Sequence, residues 1–353
     1  MLRALRYLAL LFAPLATACM EWDYGSREPV STVEGGLFVV CEGNFQYGNA
    51  SLTFYDPASR RVENDCFLRA NGFKLGDVGQ SMTLRDGIGW IVVNTSKVIF
   101  AVDAATLREV GRITGLTSPR HIAFVDDTKA YVTQLWDPRI AVVDPRRFTV
   151  TGYIECPGMD FETGSTEQMI LAGDCMIVNC WSYQNRLLKI DTRTDRVVAE
   201  AEVGIQPAAM ALDARGKLWV FCDGGYEGSP YGSEPPQLVR LDAATLRIEQ
   251  RFPLRNNRGA RSLVVDAAGE HLHWIDGGVW RMKTTAERLP DAPLIPDRGT
   301  LFYALTVDPR TSELYVADAI DYQQPGTLYR YSPDGELLDS FTTGITPGAF
   351  CWR

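Results

Sequence analysis

The chain has 353 residues and a formal net charge of −9 at pH 7, with 46% hydrophobic and 22% charged residues. This length fits one large domain or two ordinary ones, and the composition is typical of a folded soluble protein. Without the positive charges of Arg3 and Arg6 in the leader described below, the net charge is −11, which disfavours nucleic acid as a partner because it repels phosphate backbones.

The N-terminal sequence MLRALRYLALLFAPLATAC is typical of a secretory leader. Its apolar run is too short to span a bilayer, and small residues lead directly into Cys19. We therefore predict a lipoprotein signal peptide over residues 1–18, lipidation of Cys19 and a tether over residues 19–36; the alternative is an ordinary signal peptide with a chance cysteine. Glu21 and Asp23 after the cysteine resemble the acidic tag that exports Bacteroidetes lipoproteins to the outer face of the outer membrane.

From residue 37 onward, an apolar stretch, an Asp or its equivalent, a short turn and a second alternating stretch recur seven times. The central residues lie 41 to 51 positions apart and are Asp56, Asp103, Asp144, Asp191, Asp242, Lys283 and Ser332. In an Asp-x-x-Thr turn the carboxylate accepts bonds from the local backbone and closes a hairpin, so we assign these aspartates a structural role. The sixth copy, VWRMKTTAERLPD, lacks this turn.

Two further strand-like runs precede most copies, which makes four strands per repeat. The pattern predicts an all-β fold over residues 37–353, a seven-bladed β-propeller with four antiparallel strands per blade. The first blade lacks an inner strand at the N-terminus, but TPGAFCWR at residues 346–353 matches SPRHIAFV and QPAAMALD. We therefore predict that the C-terminal strand completes the first blade and closes the ring.

We label the strands of a blade A to D from the central channel outward. The A–B and C–D turns share one face, here called the hairpin face, and the B–C and D–A loops share the other, here called the mouth face. Aromatic residues recur in five of the seven B–C loops: Phe45, Tyr47, Trp136, Trp181, Tyr183, Tyr226, Tyr231 and Tyr322. A lone loop aromatic is often incidental packing, but recurrence at equivalent positions predicts an aromatic rim around the channel.

The D–A loops lead into the inner strands on the same face. The residues just before each inner apolar pair are Gln80, Arg120, Glu167, Ala208, Arg261, Tyr303 and Gly348. We predict that Gln80, Arg120, Glu167, Arg261 and Tyr303 act with the rim aromatics as a ligand-binding set, although a hydrated channel lining would show the same polarity. Apolar walls with a few fixed polar groups are the usual form of a small-molecule pocket.

The sequence carries little sign of catalysis or metal binding. His271 and His273 alternate along one strand without a recognisable third ligand, which favours a pair on the strand surface. Glu167 is a possible cation ligand, as in propeller lactonases, but two arginines at equivalent positions disfavour a cation there. Seven cysteines follow Cys19 without a C-x-x-C motif, and we expect buried thiols, with one disulfide left open. We predict no enzyme activity, no metal and no cofactor.

Several phrases are specific enough to indicate a family. They are EGNF, GNASLTFYDP, RANGFKLGDVGQSM, VNCWSYQNR, DGGYEGSPYGSEPP, ADAIDYQQPG and TPGAFCW. From residue 37 to the end, the chain resembles the Bacteroidetes surface lipoproteins that bind cobalamin. The resemblance implies a propeller held by a lipid anchor at the extracellular face of the outer membrane. It also implies that the propeller captures cobalamin or a related corrinoid as a transported ligand and delivers it to a TonB-dependent outer-membrane transporter.

Two other functions remain open from the sequence. A propeller adaptor could use the same rim to bind a protein or a glycan within a surface nutrient-uptake complex. A metal-dependent lactonase or a similar hydrolase is the third hypothesis.

Overall fold

A computed structural model describes residues 29–161, 163–254 and 262–353. The predicted signal peptide, Cys19 and the first part of the predicted tether lie outside these ranges, as does Arg261. Within the described part of the chain there are 27 strands and one short helix.

The strands follow one another in blade order. Blade one contains β1 (Leu37–Cys41), β2 (Ser51–Asp56) and β3 (Arg61–Glu63), and helix α1 (Cys66–Asn71) leads to blade two with β4 (Gly79–Arg85), β5 (Ile88–Val93), β6 (Val98–Asp103) and β7 (Glu109–Ile113). Blade three contains β8 (Pro119–Phe124), β9 (Ala130–Gln134), β10 (Arg139–Asp144) and β11 (Thr149–Glu155), and blade four contains β12 (Met169–Ala172), β13 (Cys175–Cys180), β14 (Arg186–Asp191) and β15 (Arg196–Glu202). Blade five contains β16 (Pro207–Leu212), β17 (Lys217–Cys222), β18 (Gln237–Asp242) and β19 (Ile248–Pro253), and blade six contains β20 (Leu263–Val265), β21 (His271–Asp276) and β22 (Gly278–Lys283). Blade seven contains β23 (Phe302–Val307), β24 (Leu314–Asp318), β25 (Pro325–Tyr331) and β26 (Leu337–Ile345), and β27 (Pro347–Trp352) follows.

The fold is the predicted seven-bladed propeller of antiparallel sheets. Strand β27 pairs with β1 in the register Leu37↔Trp352 and Val40↔Ala349, so the last strand is the inner strand of blade one. This confirms the predicted closure, which leaves no open edge at the junction of the two chain ends.

Blade six departs from the other blades in its outermost part. Its sheet has three strands in the described residues, and after β22 the returning chain makes only an isolated bridge between Val279 and Ile295. The sixth repeat copy has Lys283 in place of the turn aspartate, and Pro290, Pro293 and Pro296 remove backbone donors from the returning segment. Both features disfavour a regular fourth strand.

The core lies between adjacent blades, because each sheet is apolar on both faces. Between blades five and six, for example, Trp219, Phe221, Leu238 and Trp274 form one buried cluster. The described cysteines are all free thiols, and burial raises the pKa of the Cys41 thiol to about 11. The expectation of buried thiols holds for most of them, although Cys175 and Cys351 are only partly buried.

The repeated aspartates have the predicted structural role at the hairpin turns. Asp103 Oδ1 accepts hydrogen bonds from Thr106 N at 2.8 Å and from Thr106 Oγ1 at 2.7 Å, and Asp242 binds Thr245 in the same way. These bonds satisfy turn backbone groups that the strands leave unpaired.

The segment before β1 packs on the hairpin face. Val30 is buried, Thr32 Oγ1 donates to Ala104 O at 2.6 Å, and Gly35 N donates to Arg353 O at 2.8 Å. The described chain therefore enters the propeller on the face opposite the mouth of the channel. No helix within the described ranges is long and apolar enough to cross a membrane.

Candidate ligand-binding site

The mouth face holds a cavity of about 410 Å³ at the opening of the central channel. Its polar lining residues are Glu42, Gln80, Ser81, Arg120, His121, Glu167, Gln168, Ser262, Tyr303 and Thr306. Each blade contributes here because its inner strand, or the residue just before it, begins at this end of the channel. The repeat pattern therefore located Gln80, Arg120, Glu167 and Tyr303 correctly at the channel mouth. Arg261 lies outside the described residues, and its neighbour Ser262 lines the cavity.

A buried ion pair occupies one side of the cavity. Arg120 Nε donates to Glu167 Oε2 at 2.6 Å and Arg120 Nη2 donates to Glu167 Oε1 at 2.8 Å, while Arg120 Nη1 donates to Gln80 Oε1 at 2.5 Å. The two charged side chains are 13% and 9% exposed, respectively. The bidentate geometry fixes both groups and links the inner strands of blades two, three and four.

The carboxyl group of Glu167 stays ionised in this setting. Burial alone would raise its pKa, but the Arg120 guanidinium and the His121 ring outweigh burial and hold the pKa at about 2. His121 Nε2 lies 3.5 Å from Glu167 Oε1.

Trp181 covers the same guanidinium from the B–C loop of blade four. The centre of its ring lies 5.6 Å from Arg120 Cζ, and its Nε1 donates to Asp223 Oδ2 at 3.4 Å. The hydrogen bond ties Trp181 to the B–C loop of blade five, and the ring gives the cavity an apolar wall beside a charged group.

A second hydrogen-bonded pair lies at the junction of the two chain ends. Tyr303 Oη donates to Glu42 Oε1 at 2.7 Å, which links blade seven to blade one. The ring of Tyr322 meets the Tyr303 ring edge-on with centroids 5.6 Å apart.

Sequence reasoning missed Glu42, His121 and Gln168 as cavity residues. Glu42 directly follows the apolar strand LFVVC. A carboxylate at the end of that strand could have indicated a cavity residue. His121 and Gln168 each follow a residue that we had placed at the mouth, Arg120 and Glu167 respectively.

The predicted aromatic rim is present, but most of its rings lie outside the cavity. Six of the eight are exposed: Phe45, Tyr47, Trp136, Tyr226, Tyr231 and Tyr322. Tyr183 is partly buried and lies against Tyr231, with ring centroids 4.3 Å apart. Trp181 alone of the eight lines the cavity itself.

In the long B–C loop of blade five, residues 223–236, hydrogen bonds hold the two ends of the loop together. Glu234 N donates to Gly224 O at 2.8 Å, and Glu234 Oε1 accepts from Ile205 N at 2.7 Å. A Cβ at Gly224, where φ is +82°, would lie 2.0 Å from Glu234 O, so the close approach requires glycine. These contacts fix the base of the loop that carries Tyr226 and Tyr231.

The described residues offer little for a metal. Within residues 29–161, 163–254 and 262–353, no group of three or more His, Cys, Asp or Glu side chains is placed to hold one. The paired histidines do not share an exposed strand surface, which corrects our interpretation of them: His271 Nδ1 lies 2.8 Å from Asp266 Oδ2, whereas His273 is buried. Burial lowers the pKa of His273 to about 4.

Solved structures similar to this chain share its fold. A quinonprotein alcohol dehydrogenase-like protein from Bacteroides thetaiotaomicron has a TM-score of 0.67 at 15% identity, with 90% of this chain and 78% of that chain covered. A putative 6-phosphogluconolactonase from Bacteroides uniformis has a TM-score of 0.68 at 11% identity, with coverage of 91% and 100%. BamB from Moraxella catarrhalis has a TM-score of 0.52 at 14% identity, with coverage of 83% and 91%. At these identities the similarity shows the fold alone.

No curated protein matches the sequence. The family model described as a domain of unknown function, DUF5074, matches residues 35–336, which is most of the chain. The chain therefore belongs to the DUF5074 family, within an all-β propeller architecture.

Proposed function

We propose that this protein is a cell-surface lipoprotein that captures cobalamin or a related corrinoid and delivers it to a TonB-dependent outer-membrane transporter, without covalent chemistry. The observation that carries the proposal is the cavity of about 410 Å³ at the channel mouth, with fixed polar groups inside and exposed aromatic rings around it. The ligand class is inferred from the resemblance of the loop sequences to those of the cobalamin-binding surface lipoproteins.

The chemistry of a corrinoid matches this arrangement. A corrin is a broad, largely apolar macrocycle with primary amide arms on its edge and a phosphate-bearing tail. The cavity has the volume of an ordinary small-molecule pocket, about 300–1,000 Å³, so a corrinoid would place only part of itself inside. The remaining surface of the ligand would lie between rim rings such as Tyr231 and Tyr322.

The binding groups are held in place before a ligand arrives. Arg120, Glu167 and Gln80 form one hydrogen-bonded unit, and Tyr303 and Glu42 form another. Because little side-chain freedom remains to be lost, the entropic cost of binding is small and high affinity becomes attainable.

The lipid anchor and the outer-membrane location belong to the proposal. They rest on the N-terminal leader, on Cys19 and on the acidic residues after it. Labelling cells with a membrane-impermeant reagent and with a radioactive fatty acid would test both features. We expect surface labelling, and fatty-acid labelling that disappears in Cys19→Ala; fatty-acid labelling that persists in this variant would contradict the anchor site.

Titration calorimetry with cyanocobalamin tests ligand capture. We expect one site with sub-micromolar affinity. The variant Trp181→Ala should weaken binding, whereas Tyr153→Ala removes an exposed ring from outer strand β11 and serves as the matched control. Absence of binding at micromolar ligand would overturn the proposed function.

A glycan is the second candidate ligand, because exposed rings such as Phe45 and Tyr47, 62% and 76% exposed, also suit stacking on sugars. Titration with oligosaccharides in parallel separates the two ligand classes. Binding of a glycan without binding of cyanocobalamin would favour the adaptor.

A further inference from the structure

Three apolar side chains of the mouth face belong to residues with a left-handed backbone conformation. Trp136 and Tyr322 lie in the B–C loops of blades three and seven with φ of +57° and +62°, and Val78 directly precedes β4 with φ of +60°. In this region the Cβ atom crowds the following carbonyl oxygen, so glycine and asparagine are the usual residues. A bulky or β-branched residue is uncommon there and strains the backbone.

The residues on either side of Trp136 fix its turn. Leu135 N, before it, donates to Ser118 O at 2.9 Å. The buried carboxylate of Asp137, after it, accepts from Thr117 Oγ1 at 2.8 Å. The backbone conformation at Trp136 is therefore set by its neighbours rather than by its own side chain.

The turns at Tyr322 and Val78 are also held by hydrogen bonds. Tyr322 N donates to Ala319 O at 2.9 Å, and Tyr322 O accepts from Asn44 Nδ2 at 2.5 Å. Val78 O accepts from Asn94 N at 2.8 Å. These bonds involve only the backbone atoms of Tyr322 and Val78, so the turns do not require apolar side chains at these positions.

On the hairpin face, burial offsets the same kind of strain. Leu107 and Leu246 have φ of +56° and +57° and are 0% and 4% exposed. On the mouth face, by contrast, Trp136 and Tyr322 are 50% and 44% exposed. Val78 is partly buried, but it lines the cavity and belongs to none of the seven apolar clusters that the described residues form. Backbone strain that packing does not offset is typical of ligand-binding sites.

We propose that Trp136, Tyr322 and Val78 contact the ligand, and that the chain keeps these side chains for binding although they lower the stability of the fold. This inference rests on the proposed function, because it names contacts within the same site. Blades three and seven lie on opposite sides of the ring, so the two aromatic rings would meet opposite edges of a broad apolar macrocycle. Val78 would meet the part of the ligand inside the cavity.

Asparagine substitutions test both parts of the proposal, because asparagine tolerates a positive φ and has no ring. We expect Trp136→Asn to raise the melting temperature by about 1–2 °C and to weaken cyanocobalamin binding about tenfold in titration calorimetry. A melting temperature lowered by more than about 3 °C would show that the ring stabilises the fold, and would overturn the proposal.

Tyr322→Asn tests the opposite side of the ring. This variant also loses the edge-on contact with the Tyr303 ring, so the relief of strain is offset. We expect a melting temperature within about 1 °C of the wild type and binding about tenfold weaker. Unchanged affinity would contradict the contact at Tyr322.

Val78→Asn tests the cavity wall. It should raise the melting temperature by about 1–2 °C, and it should weaken binding about fivefold because a polar amide replaces an apolar contact. Unchanged affinity in this variant would contradict the role of Val78.

Two control variants separate ligand contact from backbone relief. Trp136→Phe keeps a ring at the same φ and should bind within about threefold of the wild type without a gain in melting temperature. A loss of affinity equal to that of Trp136→Asn would contradict contact through the ring face. Arg60 is exposed at a hairpin turn with φ of +58°, so Arg60→Asn should raise the melting temperature and leave affinity unchanged. Weaker binding in Arg60→Asn would show that backbone relief alone alters affinity, and would overturn the contact assignment.

The outcomes distinguish this inference from the proposed function. Wild-type affinity for cyanocobalamin in all three asparagine variants would overturn the inference and leave the proposed function intact. If the wild type does not bind cyanocobalamin, the proposed function fails and the inference fails with it.

Discussion

The guanidinium of Arg120 and the carboxylate of Glu167 meet in two hydrogen bonds of 2.6 and 2.8 Å between the inner strands of blades three and four. Both groups lie in the wall of the channel mouth, where water has little access. The pair joins neighbouring blades and sets the charge pattern at the channel mouth. Under the proposed function, stability and ligand recognition would depend on the same contact.

Removing one partner of the Arg120–Glu167 pair should destabilise the folded protein. Arg120→Ala leaves the Glu167 carboxylate buried without a matching charge, and we expect a loss of about 3 kcal/mol in the free energy of unfolding, measured in urea. Arg146→Ala is the control, because its ion pair with Asp127 is largely exposed and should change stability by less than about 1 kcal/mol. Similar losses in both variants would contradict the buried role of the Arg120–Glu167 pair.

The free energy of unfolding should fall at acid pH, because the Glu167 carboxylate becomes protonated. Its folded-state pKa of about 2 lies below the ordinary value of 4.5, so the contribution is present in full above pH 4.5 and is lost as pH falls toward 2. The shift corresponds to about 3 kcal/mol. Unfolding free energies at pH 7 and pH 3 should differ less in Glu167→Gln than in the wild type, and an unchanged difference would argue against this assignment.

The circular closure should be essential to folding. Deleting residues 347–353 removes β27 and exposes the edge of β1, including Leu37 and Val39, so we expect aggregation or loss of the cooperative transition in circular dichroism. A rearranged chain with residues 346–353 placed before Gly36 through a short turn should fold again, since Arg353 N donates to Gly36 O at 2.9 Å. A truncated protein that melts like the wild type would contradict the closure.

The two aromatic positions should differ in their effect on binding. Trp181 lines the cavity and covers Arg120, whereas Tyr231 lies on the rim against Tyr183. We expect Trp181→Ala to weaken cyanocobalamin binding by roughly tenfold or more and Tyr231→Ala by a smaller factor of about three. Melting temperatures close to that of the wild type would show that neither effect is unfolding. Unchanged affinity in both variants would show that these loops do not form the binding site.

The sequence predicted those features that repeat along the chain. Hairpin aspartates such as Asp103, the closing strand β27 and the channel-mouth positions of Gln80, Arg120, Glu167 and Tyr303 all follow from the repeat period. The period fixes where a residue lies within its own blade.

The repeat pattern could not predict the side-chain contacts between blades. The pairing of Arg120 with Glu167 and of Tyr303 with Glu42 depends on side-chain length and direction across neighbouring inner strands. The same limit explains why most rim aromatics were found outside the cavity: a loop position places a ring on the mouth face but does not give its distance from the channel axis. The sequence signals for the reduced sheet of blade six are its missing turn aspartate and the prolines that follow.

A structure of the protein crystallised with cyanocobalamin tests the central claim most directly. The account predicts the corrin at the mouth of the channel, in contact with Trp181 and over the cavity that Arg120 and Glu167 line. A corrinoid bound on the hairpin face, or an empty channel mouth at saturating ligand, would contradict it.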